Sequence, residues 1–245
     1  MELAGHSVLV TGGASGIGAA IAARFLEAGS EVLVCGRRAD KLREAQARHP
    51  QLRTHVCDLE DPQHRVALLD WAIREAPGLD VLVNNAGIQH WLTLQEGPEW
   101  PLMHREIAIN FEAPVHLSVL FIPHLRKQDR PAIINVTSGL AFVPLAKVPL
   151  YSATKAAMHS FNLSLRQQLR DTPVKVVEVM PPALNTDLGG PGLHSWCMPV
   201  DEFMDVLFSQ LQTDDDREIS YQFSTESSRA SREQLDEIFE RMNQA

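Results

Sequence analysis

The chain has 245 residues, 44% of them hydrophobic and 22% charged, the balance of a globular protein, and no run in it is long and apolar enough to cross a bilayer. A formal net charge of −9, with Lys and Arg scattered, argues against DNA or RNA as a partner. The opening MELAGHSVLV lacks the basic start and long apolar stretch of a signal peptide, so a cytoplasmic protein with no membrane partner is expected.

Short β-branched runs alternate with longer helical stretches along the whole chain, the pattern of βαβ units winding a parallel sheet. Strands are expected at 7–11, 31–35, 53–57, 79–84, 131–137, 174–180 and 218–223. Helices are expected at 16–28, 39–48, 62–76, 98–127 with a break, 150–171, 200–212 and 231–242. The near-continuous apolar character of SVLVT, EVLVC, DVLVN, AIINV and KVVEV fits strands covered by helices on both faces. The prediction is a doubly wound α/β fold forming one domain over residues 1–245. Such sheets bind ligands beyond the carboxyl ends of their strands. Prolines and glycines in PPALNTDLGGPGLHSWCMP, residues 181–199, forbid a long helix or strand, and a loop of that length at the binding edge reads as part of a substrate region at about 181–212.

The first strand ends in Thr11-Gly12-Gly13-Ala14-Ser15-Gly16-Ile17-Gly18 and runs directly into a helix. Gly12, Gly16 and Gly18 allow a tight turn and a close approach of backbone N–H groups, with those of Ser15 and Ile17 among them, to a pyrophosphate at a helix N-terminus. After the second strand, where an NAD-selective site places an acidic residue, the chain has Gly36, Arg37 and Arg38. A guanidinium is a bidentate partner for a 2′-phosphate, so NADP(H) is preferred, with NAD(H) the second choice. The third strand ends in Cys57-Asp58-Leu59, where Asp58 can accept from an adenine amino group, and the fourth in Asn84-Asn85-Ala86-Gly87.

Ser138 ends the fifth strand, and Tyr151-Ser152-Ala153-Thr154-Lys155 opens a long helix thirteen residues later. Residues four apart share a helix face, so Tyr151 and Lys155 project together toward the edge that holds Ser138. A neighbouring ammonium is expected to lower the phenol pKa, letting Tyr151 exchange a proton with a carbonyl or alcohol oxygen that Ser138 also bonds. Pro114 cannot donate to the carbonyl of Asn110, so a kink there would leave that carbonyl to anchor a water chain toward Lys155. Cys35, Cys57 and Cys197 show no metal spacing, and His90, His104, His116 and His124 form no HxxxH or HExxH; these are read as packing or surface residues, with no metal expected.

TGGASGIG at 11–18, NNAG at 84–87, Asn110, Ser138 and YSATK at 151–155 stand in the order and spacing of the short-chain dehydrogenase/reductase family, which the chain resembles over roughly residues 5–190. The resemblance implies a Rossmann-type domain with a seven-stranded parallel sheet and an Asn-Ser-Tyr-Lys tetrad, Asn110, Ser138, Tyr151 and Lys155. It implies that Lys155 also binds the ribose, that Asn84 lines the cofactor, that Pro181 and Leu184 lie at the nicotinamide and that Thr186 meets its carboxamide. It also implies a homodimer or homotetramer through helices near 113–127 and 150–171. Two departures stand out. Pro181-Pro182 replaces the usual Pro-Gly, and the tail EISYQFSTESSRASREQLDEIF replaces a glycine-rich ending, resembling instead the branch named after an oxidoreductase of teichoic-acid alanylation gene clusters. Segments 88–97, 140–148 and 181–199 carry Trp91, Phe142, Leu145, Leu184 and Trp196, an apolar set that suits a lipophilic carbonyl or alcohol. A non-catalytic NADP(H)-binding sensor or scaffold is the alternative, against which the complete tetrad argues. A Ser138 hydrolase ranks last, since there is no GxSxG elbow.

Overall fold

A computed structural model describes residues 1–213 and 217–244; residues 214–216 and 245, which the single-domain expectation also spans, lie outside the described residues. Seven parallel strands, β1 (Ser7–Thr11), β2 (Glu31–Gly36), β3 (Arg53–Val56), β4 (Val81–Asn84), β5 (Ala132–Val136), β6 (Lys175–Met180) and β7 (Glu218–Ser220), form one sheet in the order β3-β2-β1-β4-β5-β6-β7. Its neighbours pair in register, with Leu9 between Leu33 and Leu82. The chain reverses direction across the sheet between β1 and β4, which opens a crevice at their carboxyl ends.

Alternation along the strands divides the core in two. Val8, Val10, Val34, Val83 and Ile134 meet helix α1 (Gly16–Glu27) and helix α7 (Val200–Leu211), where Phe25 and Phe208 pack edge to face at 5.2 Å. On the other face Leu9, Leu33, Leu82 and Ile133 pack with Leu68 of α3 (Pro62–Glu75), Leu117 and Phe121 of α5 (Ala113–Leu125) and Leu165 of α6 (Pro149–Gln168). Helix α2 (Ala39–Arg48) covers the β2–β3 edge with Leu42 and Ala45. Among the described residues, no helix is long and apolar enough to cross a membrane.

Two expectations are corrected. The stretch at 98–127 is not broken: α4 (Trp100–Ile107) passes through a π turn at Ala108–Glu112 into α5, with the Ala113 N–H reaching back to the Ala108 carbonyl. Widening the helix just before a residue that cannot donate, Pro114, absorbs the irregularity without a kink that ends it. The last strand stops at Ser220 rather than 223, because Gln222 takes a left-handed φ of 49° and starts a short helix, α8 (Phe223–Arg229), that the strand reading had missed. Helix α9 (Arg232–Asn243) follows, opened by a reciprocal Ser231–Gln234 cap.

Candidate active site

The glycine turn lies over the carboxyl ends of β1 and β4. Gly12 adopts φ +66°, and a Cβ there would lie 3.0 Å from the Ala86 Cα, so the NNAG segment can approach only a glycine. Thr11 ties the two strand ends together: its hydroxyl donates to the Val83 carbonyl at 3.2 Å and accepts the N–H groups of Asn85 and Ala86 at 3.0 and 3.1 Å. Asn85 adds a bond from Nδ2 to the Thr11 carbonyl at 2.9 Å, and a Cβ on Gly18 would collide with that amide. Helix α1 begins with no side-chain cap and no acidic residue in its first turn, which leaves its N-terminal N–H groups available for an anion. This is the observation on which a dinucleotide pyrophosphate fits the turn.

Arg38 reaches over this turn, donating from Nη2 to the Ser15 hydroxyl at 2.9 Å, while Arg37 stays exposed. Asp58 accepts the Glu60 N–H at 3.1 Å through Oδ1, and buried Leu59 is held by Arg65, whose Nε donates to its carbonyl at 2.6 Å. The Asn84 side chain turns inward. Its Nδ2 donates to Asn135 Oδ1 at 2.8 Å, Asn135 donates onward to Asn162 at 2.5 Å, and Asn84 Oδ1 has no partner. This buried network runs inward because Asn84 shares the Leu82 side of β4 and faces α5, where it also donates to the Ser118 hydroxyl at 3.3 Å.

Ser138 follows β5, and its hydroxyl accepts the Leu140 N–H at 3.1 Å and meets the Tyr151 phenol. Tyr151 and Lys155 lie on one face of α6 as the spacing requires, with Lys155 Nζ 5.4 Å from the phenol ring centroid. Nζ donates to the Val136 carbonyl at 2.8 Å, which leaves two of its three donors. Burial pulls Lys155 down to about 8, against the opposing field of Glu178. Burial also pushes the Tyr151 phenol up, outweighing its bond to Ser138, and Glu106 adds to the rise. The expected lowering by Lys155 is therefore absent here: desolvation disfavours the phenolate more than its neighbours favour it.

Asn110 sits in the π turn, and its side chain clasps Ile88 from both sides, Nδ2 donating to the carbonyl and Oδ1 accepting the N–H, each at 2.8 Å. A Cβ on Gly87 would lie 3.4 Å from Asn110 Oδ1 and 3.9 Å from Lys155 Nζ, so Asn110, Gly87 and Lys155 share one small space. Across the crevice the 181–199 loop folds back: a Cβ on Gly16 would fall 3.5 Å from Thr186 Cγ2. The Pro181 carbonyl accepts from Ser224 of α8 at 2.8 Å. Leu184 is buried against the core and bridges to Met198; Trp91 and Trp196 stand exposed on their loops, and Phe142 packs edge-on to His159 at 4.6 Å.

Residue-type reasoning missed several of these groups. Thr11 and Asn85 stand inside the glycine-turn and NNAG motifs, but the sequence reading assigns no role to either. His90 and His159, read or passed over as ordinary surface residues, each pair with a fully buried glutamate, Glu106 at 2.8 Å and Glu178 at 2.9 Å.

The family profile described as short chain dehydrogenase matches residues 6–192. The uncharacterized oxidoreductase DltE of Bacillus subtilis (strain 168) is 45% identical over 249 residues, covering 99% of this chain and 98% of that protein. The 1-deoxy-11-beta-hydroxypentalenate dehydrogenase of Streptomyces exfoliatus is 36% identical over 77% of this chain and 70% of its own. Among solved structures, a short chain dehydrogenase from Burkholderia cenocepacia J2315 in complex with NADP superposes with a TM-score of 0.83 at 25% identity, covering 98% and 99% of the two chains. A short-chain dehydrogenase from Sphingobium yanoikuyae in complex with NADPH gives 0.77 at 28% identity, over 88% and 86%. The fold, the ordered motifs and these matches agree: the chain belongs to the short-chain dehydrogenase/reductase family of oxidoreductases.

Proposed function

We propose that the chain is a cytoplasmic NADP(H)-dependent oxidoreductase that interconverts a lipophilic carbonyl compound and its alcohol. The observation that carries this reading is the meeting of Ser138, Tyr151 and Lys155 beside a glycine turn whose helix N-terminus is uncapped. Bound there, NADP(H) would supply or accept a hydride. The turn from Gly12 to Gly18 and the Ser15 side chain would hold its pyrophosphate, with Arg37 and Arg38 on the 2′-phosphate. Asp58 and Leu59 would lie at the adenine, Ala86 and Gly87 under the central ribose, and Pro181 and Thr186 at the nicotinamide. Tyr151 passes a proton to or from the substrate oxygen, which Ser138 holds by a second hydrogen bond. Its raised pKa keeps the phenol protonated, which suits the donor role in carbonyl reduction. Lys155 would offer its two remaining donors to the ribose, and Asn110 fixes the Ile88 backbone next to the Gly87 that neighbours Lys155.

The relatives solved with NADP and NADPH support the nucleotide, and exposed Trp91 and Trp196 support an apolar substrate. The chain acts in this reading as one unit over 1–245, with 181–212 as its substrate region, and associates as a dimer or tetramer through α5 and α6. The test is a fluorescence titration with NADPH and NADH. NADPH should bind more tightly, and Arg38→Ala should weaken it about tenfold or more while leaving NADH alone, the value of a charged phosphate bond. Binding of neither nucleotide would sink the reading. Binding without NADPH oxidation across a carbonyl panel would favour a sensor or scaffold instead.

A further inference from the structure

One buried carboxylate beside Tyr151 has no part in the chemistry above. Glu106 on α4 is sealed from solvent, its Oε2 2.8 Å from His90 Nδ1 and its Oε1 without any hydrogen-bond partner. Burial holds its pKa above the usual carboxylate value, and its field acts on the Tyr151 phenol. As a stabilising device the arrangement is poor: a buried carboxylate with one oxygen unmet gives up more in desolvation than an apolar side chain of the same volume would. What it achieves is to fix an imidazole. His90 is 26% exposed at the side chain, with Nδ1 engaged, so Nε2 is the nitrogen left for a ligand.

Its position is set by the tetrad itself. Asn110 clamps Ile88, and Gly87 lies against Lys155. His90 is three residues beyond Gly87, a span of at most about 10 Å. The ring also rests 2.8 Å from Glu106, the carboxylate whose charge is felt at the Tyr151 phenol, which sets His90 on the Tyr151 side of the site.

We propose that His90 is a specificity-determining residue of the substrate pocket, which selects carbonyl compounds carrying a second oxygen on the adjacent carbon through a hydrogen bond at Nε2. Glu106 is the positioning residue that fixes the ring. The inference rests on the carbonyl-reductase reading and deepens it. With Nδ1–H on the Glu106 carboxylate, a neutral ring accepts at Nε2 from the hydroxyl of an α-hydroxyketone, whereas an α-diketone could accept only from an imidazolium, so the two probes separate the forms.

The experiment compares kcat/KM with NADPH for cyclohexanone, 2-hydroxycyclohexanone and 1,2-cyclohexanedione in wild type, His90→Phe and Glu106→Gln. Wild type should favour one oxygenated ketone by about tenfold or more, the scale of discrimination at a site built to hydrogen-bond its substrate. His90→Phe should abolish that preference, bringing the kcat/KM values for the three ketones together, and Glu106→Gln should reduce it without lowering the melting temperature. Equal kcat/KM for the three ketones in wild type, or a preference that survives in His90→Phe, overturns the inference and leaves the oxidoreductase reading standing. A second arm needs no turnover: in ¹⁵N-histidine-labelled protein with NADP⁺, the His90 Nε2 resonance, identified by its loss in His90→Phe, should shift with 2-hydroxycyclohexanone or the diketone and not with cyclohexanone. No shift overturns the inference. A shift without turnover upholds the recognition role and faults the reaction alone.

Discussion

The Tyr151 phenol and the Lys155 ammonium both pay for burial, in opposite directions on the pH scale. Tyr151→Phe keeps the ring's packing and removes the transferable proton, so carbonyl reduction should fall by about a hundredfold or more while NADPH affinity is unchanged; stopped-flow turnover alongside nucleotide titration checks it. Lys155 is held near 8 by burial, and Glu178 is what opposes the fall. Glu178 is completely buried, accepts from Thr137 Oγ1 at 2.7 Å and lies 2.9 Å from His159 Nδ1. In Glu178→Gln the ammonium loses a favourable negative charge, so the Lys155 pKa drops further, and the ionisation that it contributes to the kcat/KM profile should move to lower pH. An unmoved or upward-shifted limb would contradict the coupling. Tyr151 and Lys155 were legible because i and i+4 share a helix face. Glu178 was not, since a lone Glu in KVVEVM reads as a polar interruption until His159 from another element is seen against it.

At the scale of elements, α8 couples two turns of the site. Ser224 donates to the Pro181 carbonyl at 2.8 Å, and a Cβ added to Gly139, next to Ser138, would lie 2.8 Å from the Ser224 hydroxyl and 2.9 Å from the Phe223 ring. Gly139→Ala should therefore destabilise by about 1–3 kcal/mol as an overpacked contact, measured by thermal melting. Ser224→Ala should cost about 1 kcal/mol through the lost hydrogen bond. The double variant should recover part of the sum, because both changes act on the same contact. Helix α8 escaped the reading of the sequence for a physical reason: SYQFSTESSR has no apolar period of 3.6, and it is helical because its serines bond backbone carbonyls of the site rather than because it hides an apolar stripe. The continuous α4–α5 helix was misjudged in the opposite sense, since a π turn tolerates Pro114 where regular helical bonding would not.

The whole molecule leaves apolar side chains on the outer faces of two long helices: Val119 of α5 is 58% exposed and Leu163 of α6 is 47% exposed. If these faces join copies of the chain, Val119→Glu with Leu163→Glu should convert the assembly to monomer in light scattering, with NADPH binding retained; an unchanged mass would place the interface elsewhere. The parallel, doubly wound character of the sheet follows from strand character and βαβ alternation, both local properties of the chain, whereas the strand order and the switch between β1 and β4 appear only in the folded sheet. By itself, then, the sequence determined the winding of the sheet, the glycine turn, the YxxxK helix face and the family. Only the tertiary structure decided that Asn84 faces inward, that Leu184 is core, that Arg38 leans on Ser15, and that two buried glutamates each grip a histidine beside the catalytic residues. Periodicity reports which face of an element is apolar, whereas these pairings join residues 16 to 51 positions apart whose meeting depends on how the elements pack.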